Sequence, residues 1–181
     1  QHTLPTRPSS EQGYKIKAIE GLGEEQDPTL QPGFKDISGK LRELTDKWFP
    51  RAKLMLSASP LHLDDHQVRH ALNSYDRPVL RFSSGTQKFF GKFTGMNPKA
   101  LKGVVENLCR VEHEHLVIEA LFVRGDADNT TDSERKAWVG HLQRVRPEAV
   151  EIHTPAKATA QDGNKYRPAT KTQMNAIAEQ V

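Results

Sequence analysis

The chain has 181 residues and a mass of 20.4 kDa, room for a single core with polar ends and too little for two independent domains. Hydrophobic residues make up 35% and mean hydropathy is −0.69, yet apolar positions recur in ordered patterns, which excludes a fully disordered chain. Against 26 basic residues stand 23 acidic ones, a net charge of +3, so the basic pI of 9.0 reflects a small excess and nucleic acid is disfavoured as a partner.

Residues 1–13 are polar, with Pro5 and Pro8 and no period, and are expected to form an extended arm ahead of a domain over 14–181. The opening stretch has no apolar core of the secretory kind, and no run approaches the roughly 18 to 20 apolar residues of a membrane span. A cytoplasmic protein with no membrane partner is the expectation. Lys15 to Glu20 reads as a first strand, leading into Gly21-Leu22-Gly23-Glu24. From Phe34, apolar residues at Ile37, Leu41, Leu44 and Trp48 step by three and four, which predicts a helix with one buried stripe ending before Pro50. Ala52 to Ser57 is a second strand, and Asp64-Asp65 offers the cap of a helix carrying Val68, Ala71, Leu72 and Tyr75. Arg77 to Ser84 is a third strand, Thr86 to Phe93 a short helix, and Asn97-Pro98 opens a helix striped by Leu101, Val104, Val105 and Leu108. Leu116 to Val123, apolar on both faces, predicts a strand covered by helices from both sides. Thr131 to Glu134 reads as a capping box before a helix with Trp138, Leu142 and Val145. Ala149 to His153 is the fifth strand, a loop follows, and a last helix starts at Thr170.

Five strand candidates, each followed by a helix, are the pattern of a parallel α/β sheet. A closed eight-fold barrel needs about 250 residues, so a part-barrel and an open doubly wound sheet remain. Alternation along the strands puts Lys53, Arg81, Glu119, Glu151 and His153 on the less apolar faces. They are expected on one common side, either as ion pairs that fix strand order or as a polar ligand site at the carboxyl ends of the strands.

Read in order, these segments resemble the radical S-adenosylmethionine (radical SAM) superfamily, in particular its members with a "GxGEPTLHPDF" segment. That segment stands here as Gly21 to Phe34, with extra residues between Glu24 and Pro28. Val79 to Thr86 is similar to the family's "vvKLDaGt", Ile118 to Gly125 to "LEvmlvkG", and Val150 to Lys157 to "VqlnTPvRP". The resemblance implies a partial (βα) TIM-like barrel of about five parallel strands with outer helices, a truncated radical SAM core. It implies S-adenosylmethionine as cofactor, with Gly21, Gly23 and Glu24 at its methionyl amine, Ser83 near its ribose, and Arg81, Glu119, His153 and Thr154 lining the site. The family holds a 4Fe–4S cluster on a CxxxCxxC motif that is absent here: Cys109 is the sole cysteine, so a cluster requires cysteines from a segment preceding Gln1.

The implied function is that of a radical SAM-like protein. It is either the cluster-free remainder of an S-adenosylmethionine-dependent oxidoreductase or a degenerate descendant that binds S-adenosylmethionine or a related small molecule. The alternative is a non-catalytic scaffold with a protein partner. Two weaker readings are a metal site, from His62, His66 and His70 or from Cys109, His113 and His115, and a basic binding surface around Arg77, Lys88, Lys92, Lys99, Lys102 and Arg110.

Overall fold

The computed structural model describes residues 16–21, 26–161 and 164–181. The arm expected over 1–13 and the turn residues Gly23 and Glu24 lie outside the described residues. In chain order the elements are β1 (Ala18–Gly21), α1 (Phe34–Trp48), β2 (Lys53–Ala58), α2 (His66–Ala71), β3 (Arg77–Arg81), α3 (Gln87–Thr94) and α4 (Leu101–Leu108). There follow β4 (Val117–Leu121), β5 (Val123–Gly125), α5 (Asp132–Val145), β6 (Ala149–His153), β7 (Thr159–Gln161), β8 (Asn164–Pro168) and α6 (Lys171–Ala178). The helix starts follow the capping chemistry: Asp65, Thr86, Thr131 and Thr170 each accept a backbone N–H from the first turn they precede.

The main sheet is parallel, in the order β1-β2-β3-β4-β6. Strands that follow one another in both chain and sheet, joined by right-handed crossovers, put every helix on one face, whereas a doubly wound sheet reverses its order partway. The sheet is therefore of the part-barrel kind. Its core runs through Leu54, Leu56, Leu80, Ile118 and Phe122 on the helix side and takes Val68, Leu72, Val105, Leu108, Trp138 and Ile177 from the helices. Helix cover on both sides of β4, expected from its composition, is not what forms. Glu119 points away from the helices, and the long apolar run divides at Phe122 into β4 and β5.

Two further expectations are corrected. The stretch after β6 is not a plain loop: β7 and β8 form an antiparallel hairpin, and β8 also pairs with β5. Gly125 permits that pairing, since a Cβ there would meet the Lys165 carbonyl oxygen at 2.3 Å and its φ is +124°. Phe89 and Phe93 pack into this small sheet beside Val123, Ala127 and Tyr166. The second correction concerns α1, which buries Phe34, Ser38 and Thr45 while Ile37, Leu44 and Trp48 are exposed.

Polar anchors explain how α1 is turned. The Ser38 hydroxyl donates to the Phe34 carbonyl (2.8 Å) and stands 3.0 Å from the Tyr75 hydroxyl, whose own ionisation burial pushes up. Arg42 donates to Asp76 at 2.9 Å, and the same carboxylate accepts the Leu54 amide at 2.7 Å. Asp76 thus ties α1, β2 and the start of β3 together. Partial burial pulls its carboxyl up, but the Leu54 amide and the Arg42 guanidinium outweigh that and hold it below the usual carboxylate range.

A carboxyl held below its unfolded value stabilises the fold above that value and loses the contribution as pH falls through the folded one. Asp76→Ala should cost about 1–3 kcal/mol at neutral pH. Urea denaturation of both proteins should show the gap narrowing once the pH drops below roughly 4. A gap independent of pH would show that the charge on Asp76 contributes nothing.

Candidate functional site

Register brings the polar column together. Arg81 is level with Glu119, and Glu119 with Glu151, in adjacent parallel strands, so the three side chains leave one face at one height. His153, two residues beyond Glu151, shares that face at the carboxyl end of β6. Lys53 lies on the same side but at the amino end of β2, level with Ala18, and so stands apart.

The ion pairs differ in detail from those expected. Glu151 pairs with Arg77 at 2.7 Å, across β4, and Val117 lies between them in the register, fully buried beneath the polar side chains. Arg81 meets Asp27 at 3.2 Å instead of either glutamate. His153 Nε2 lies 3.5 Å from Glu119 and 3.9 Å from Glu151. Because Arg81 and His153 are each about half exposed, these contacts orient the groups more than they stabilise the fold.

Arg81, Ser83, Glu119 and His153 line one cavity of about 400 Å³ at the carboxyl ends of the strands. Its other wall is apolar: Pro60 and Leu61 after β2, Phe90 and Phe93 from α3, and Val104 from α4. A concave site with one apolar wall and a few convergent polar groups fits a small molecule, and its size lies in the usual ligand range. Gly21 and Thr154 are not among the lining residues. Gly21 ends β1, where a methyl group would make only ordinary contact with Leu56. The Thr154 hydroxyl donates to the Phe122 carbonyl and accepts the Ala169 amide, which joins the end of β4 to the start of α6.

The floor of the cavity is the turn after β3, and side chains distant in sequence hold it. Trp138 Nε1 donates to the Phe82 carbonyl (3.0 Å), Asn129 Nδ2 to the Ser83 carbonyl (3.0 Å), and His141 Nε2 to the Gly85 carbonyl (2.9 Å). The buried Glu134 carboxylate accepts the Gly85 and Thr86 amides and the Thr86 hydroxyl. The capping box read at 131–134 is thus only half made. Thr131 caps the Glu134 amide, while the Glu134 side chain occupies the amino end of α3 instead of its own helix start. The Ser83 hydroxyl accepts the Leu121 amide at 2.9 Å, so it fastens β3 to β4 while facing the cavity.

Sequence reasoning missed Asp27, Asn129 and the apolar wall. Asp27-Pro28-Thr29 carried a legible signal, an acceptor before a proline at a first helical position, and Asp27 does accept the Thr29 amide. Asn129 had none, since its partners Val123, Ser83 and Leu121 are set only by the fold. Of the histidines, His66 and His70 are exposed on α2, and no group of His, Cys, Asp and Glu that could hold a metal ion occurs among the described residues. Cys109 is exposed and caps the end of α4.

No protein-family model matches the sequence, and no curated protein does. Among solved structures the chain is similar to a domain of a pyruvate-formate lyase-activating enzyme from Bacteroides vulgatus ATCC 8482, with a TM-score of 0.61 and 11% identity over 91% of this chain and 92% of that one. It is also similar to a radical SAM methyltransferase from Sphaerobacter thermophilus, with a TM-score of 0.55 and 12% identity over 85% of this chain and 45% of that one. At such identities the likeness is one of fold: the part-barrel sheet with outer helices is shared with radical SAM enzymes.

The clamp on the turn predicts two costs. A Cβ on Gly85 would lie 2.1 Å from the Glu134 carbonyl oxygen, so Gly85→Ala should destabilise by more than about 2 kcal/mol. Glu134→Ala leaves the Gly85 and Thr86 amides without their acceptor and should cost about 1–3 kcal/mol. Equilibrium denaturation measures both, and native-like stability of Gly85→Ala would show that the turn is not held as described.

Proposed function

We propose that the chain is a radical SAM-like binding protein that takes S-adenosylmethionine, or a small molecule related to it, into the cavity at the carboxyl ends of β2, β3, β4 and β6. The observation that carries this reading is the convergence of Arg81, Ser83, Glu119 and His153 on one wall, with Leu61, Phe90, Phe93 and Val104 opposite. A ligand with an amino-acid end and a planar body suits both walls. Glu119 can accept hydrogen bonds from an ammonium group, Arg81 can donate to a carboxylate, and aromatic rings take a purine face. The fold shared with radical SAM enzymes supports the same ligand class.

The family's iron–sulfur cluster is another matter. It needs several thiolates grouped near the ligand, and the chain has one cysteine, at the end of α4. The residues of this segment do not fit the cluster, and no radical step is assigned to them. Binding of the ligand, with Glu119 and His153 beside it as groups able to exchange a proton, is the chemistry this chain supplies by itself.

Isothermal titration with S-adenosylmethionine and S-adenosylhomocysteine tests the proposal. Binding heat is expected with the native chain, and Arg81→Ala or Glu119→Ala should each weaken it about tenfold, equivalent to roughly 1.4 kcal/mol. Glu24→Ala tests the glycine turn of the family resemblance separately. Absence of heat at millimolar ligand would overturn the ligand reading in favour of the scaffold.

A further inference from the structure

Among the described residues that line the cavity, only Arg81, Glu119 and His153 can carry charge, and the three are not offset equally. Arg81 faces the Asp27 carboxylate at 3.2 Å, and with the Asp27 side chain only 11% exposed the two opposite charges stand as a closed pair. Farther along the column, Glu151 is matched by Arg77 at 2.7 Å. Glu119 is different. Among the described residues its ion-pair contact is His153 Nε2, at 3.5 Å, which offsets the carboxylate only while the imidazole is protonated. Lys53 stands at the amino end of β2, away from it. With the two arginine pairs cancelling, these groups leave one carboxylate in surplus whenever His153 is neutral.

The opposite wall of Leu61, Phe90, Phe93 and Val104 adds no charge of its own. A ligand seated between the walls displaces the water that would screen Glu119, so the carboxylate acts on it through a medium of lower dielectric than bulk solvent. Such a field favours a ligand of net positive charge over a neutral one of nearly the same shape. We propose that Glu119 makes the cavity selective for an onium ligand. S-adenosylmethionine, whose sulfur is positively charged, is then held more tightly than S-adenosylhomocysteine, whose sulfur is not. The inference rests on the reading that the cavity takes a molecule of this class, and it adds which member is preferred and which residue decides. The two compounds share the adenosine and the amino-acid end, so contacts of Arg81 with a carboxylate or of Glu119 with an ammonium group are common to both. Their ratio of affinities isolates the charge on sulfur.

Isothermal titration at about pH 7.5, where an imidazole is mainly neutral, measures that ratio. S-adenosylmethionine should bind about tenfold more tightly than S-adenosylhomocysteine, a difference of roughly 1.4 kcal/mol. Glu119→Gln keeps the size of the side chain and removes its charge, and it should bring the two affinities close to equality. Any general damage to the site from that substitution weakens both ligands and leaves their ratio alone. His153→Gln takes away the imidazole beside the carboxylate and should keep the preference. Equal affinities in the native chain, a preference that survives Glu119→Gln, or one that is lost with His153→Gln would overturn the proposal and leave the ligand reading standing. Absence of heat with either compound would overturn both.

Discussion

The in-register parallel pairing of β3, β4 and β6 is the constraint on which the rest of the molecule depends. With a side-chain period of two, the register that buries Leu80, Ile118 and Val150 beneath the helices must send Arg81, Glu119 and Glu151 to the opposite face. A slip of one residue in any of the three strands would drive a charged side chain into the helix layer, at a cost of several kcal/mol without a partner. Pairing and site are therefore not separate features. The apolar pattern that folds the sheet also assembles the polar column, and because the strand order never reverses, no helix among the described residues returns to cover it.

A column of charges on an uncovered face is not yet a cavity. The cavity forms because the turn after β3 is fixed from behind by Asn129, Glu134, Trp138 and His141, and because α3 and α4 then bring Phe90, Phe93 and Val104 over the strand ends. Apart from the Thr86 hydroxyl on Glu134, these bonds go to backbone groups, so the course of the turn is set mainly by its main chain and by the absence of a side chain at Gly85. Asp27 does the equivalent on the β1 side, where its carboxylate accepts the Ser59 amide and holds Arg81. Mostly amides and carbonyls, not the lining side chains, shape the pocket. The lining side chains remain partly exposed and available to a ligand.

Local periodicity made most of the fold legible. Strand alternation placed Arg81, Glu119 and His153 on one side, and cap residues marked the starts of α2, α5 and α6, because both signals lie within a few residues of the element they define. Two kinds of information were beyond that reach. The stripe on α1 has the spacing of a buried face, but its orientation is decided by Ser38 with Tyr75 and Arg42 with Asp76, partners more than thirty residues away. Likewise, the hairpin of β7 and β8 is polar and short, and it gains its place by pairing with β5, a strand that looked like the tail of β4. In the site, the column could be read from the strands. The apolar wall could not, because it comes from helices whose approach depends on the clamped turn.

The two ends of the sheet carry different groups. In a parallel α/β sheet each helix returns the chain to the amino ends of the strands, so Cys109, at the end of α4 and ahead of β4, lies on the side away from the cavity. Five residues of strand at about 3.3 Å each separate the two levels by roughly 16 Å. Neither a side-chain rotation nor a loop adjustment carries a thiolate over that distance to a ligand beside Arg81 and Glu119. The polar groups and the cavity sit together at the carboxyl ends of the strands, and the chain's one cysteine sits a strand's length away at the other end.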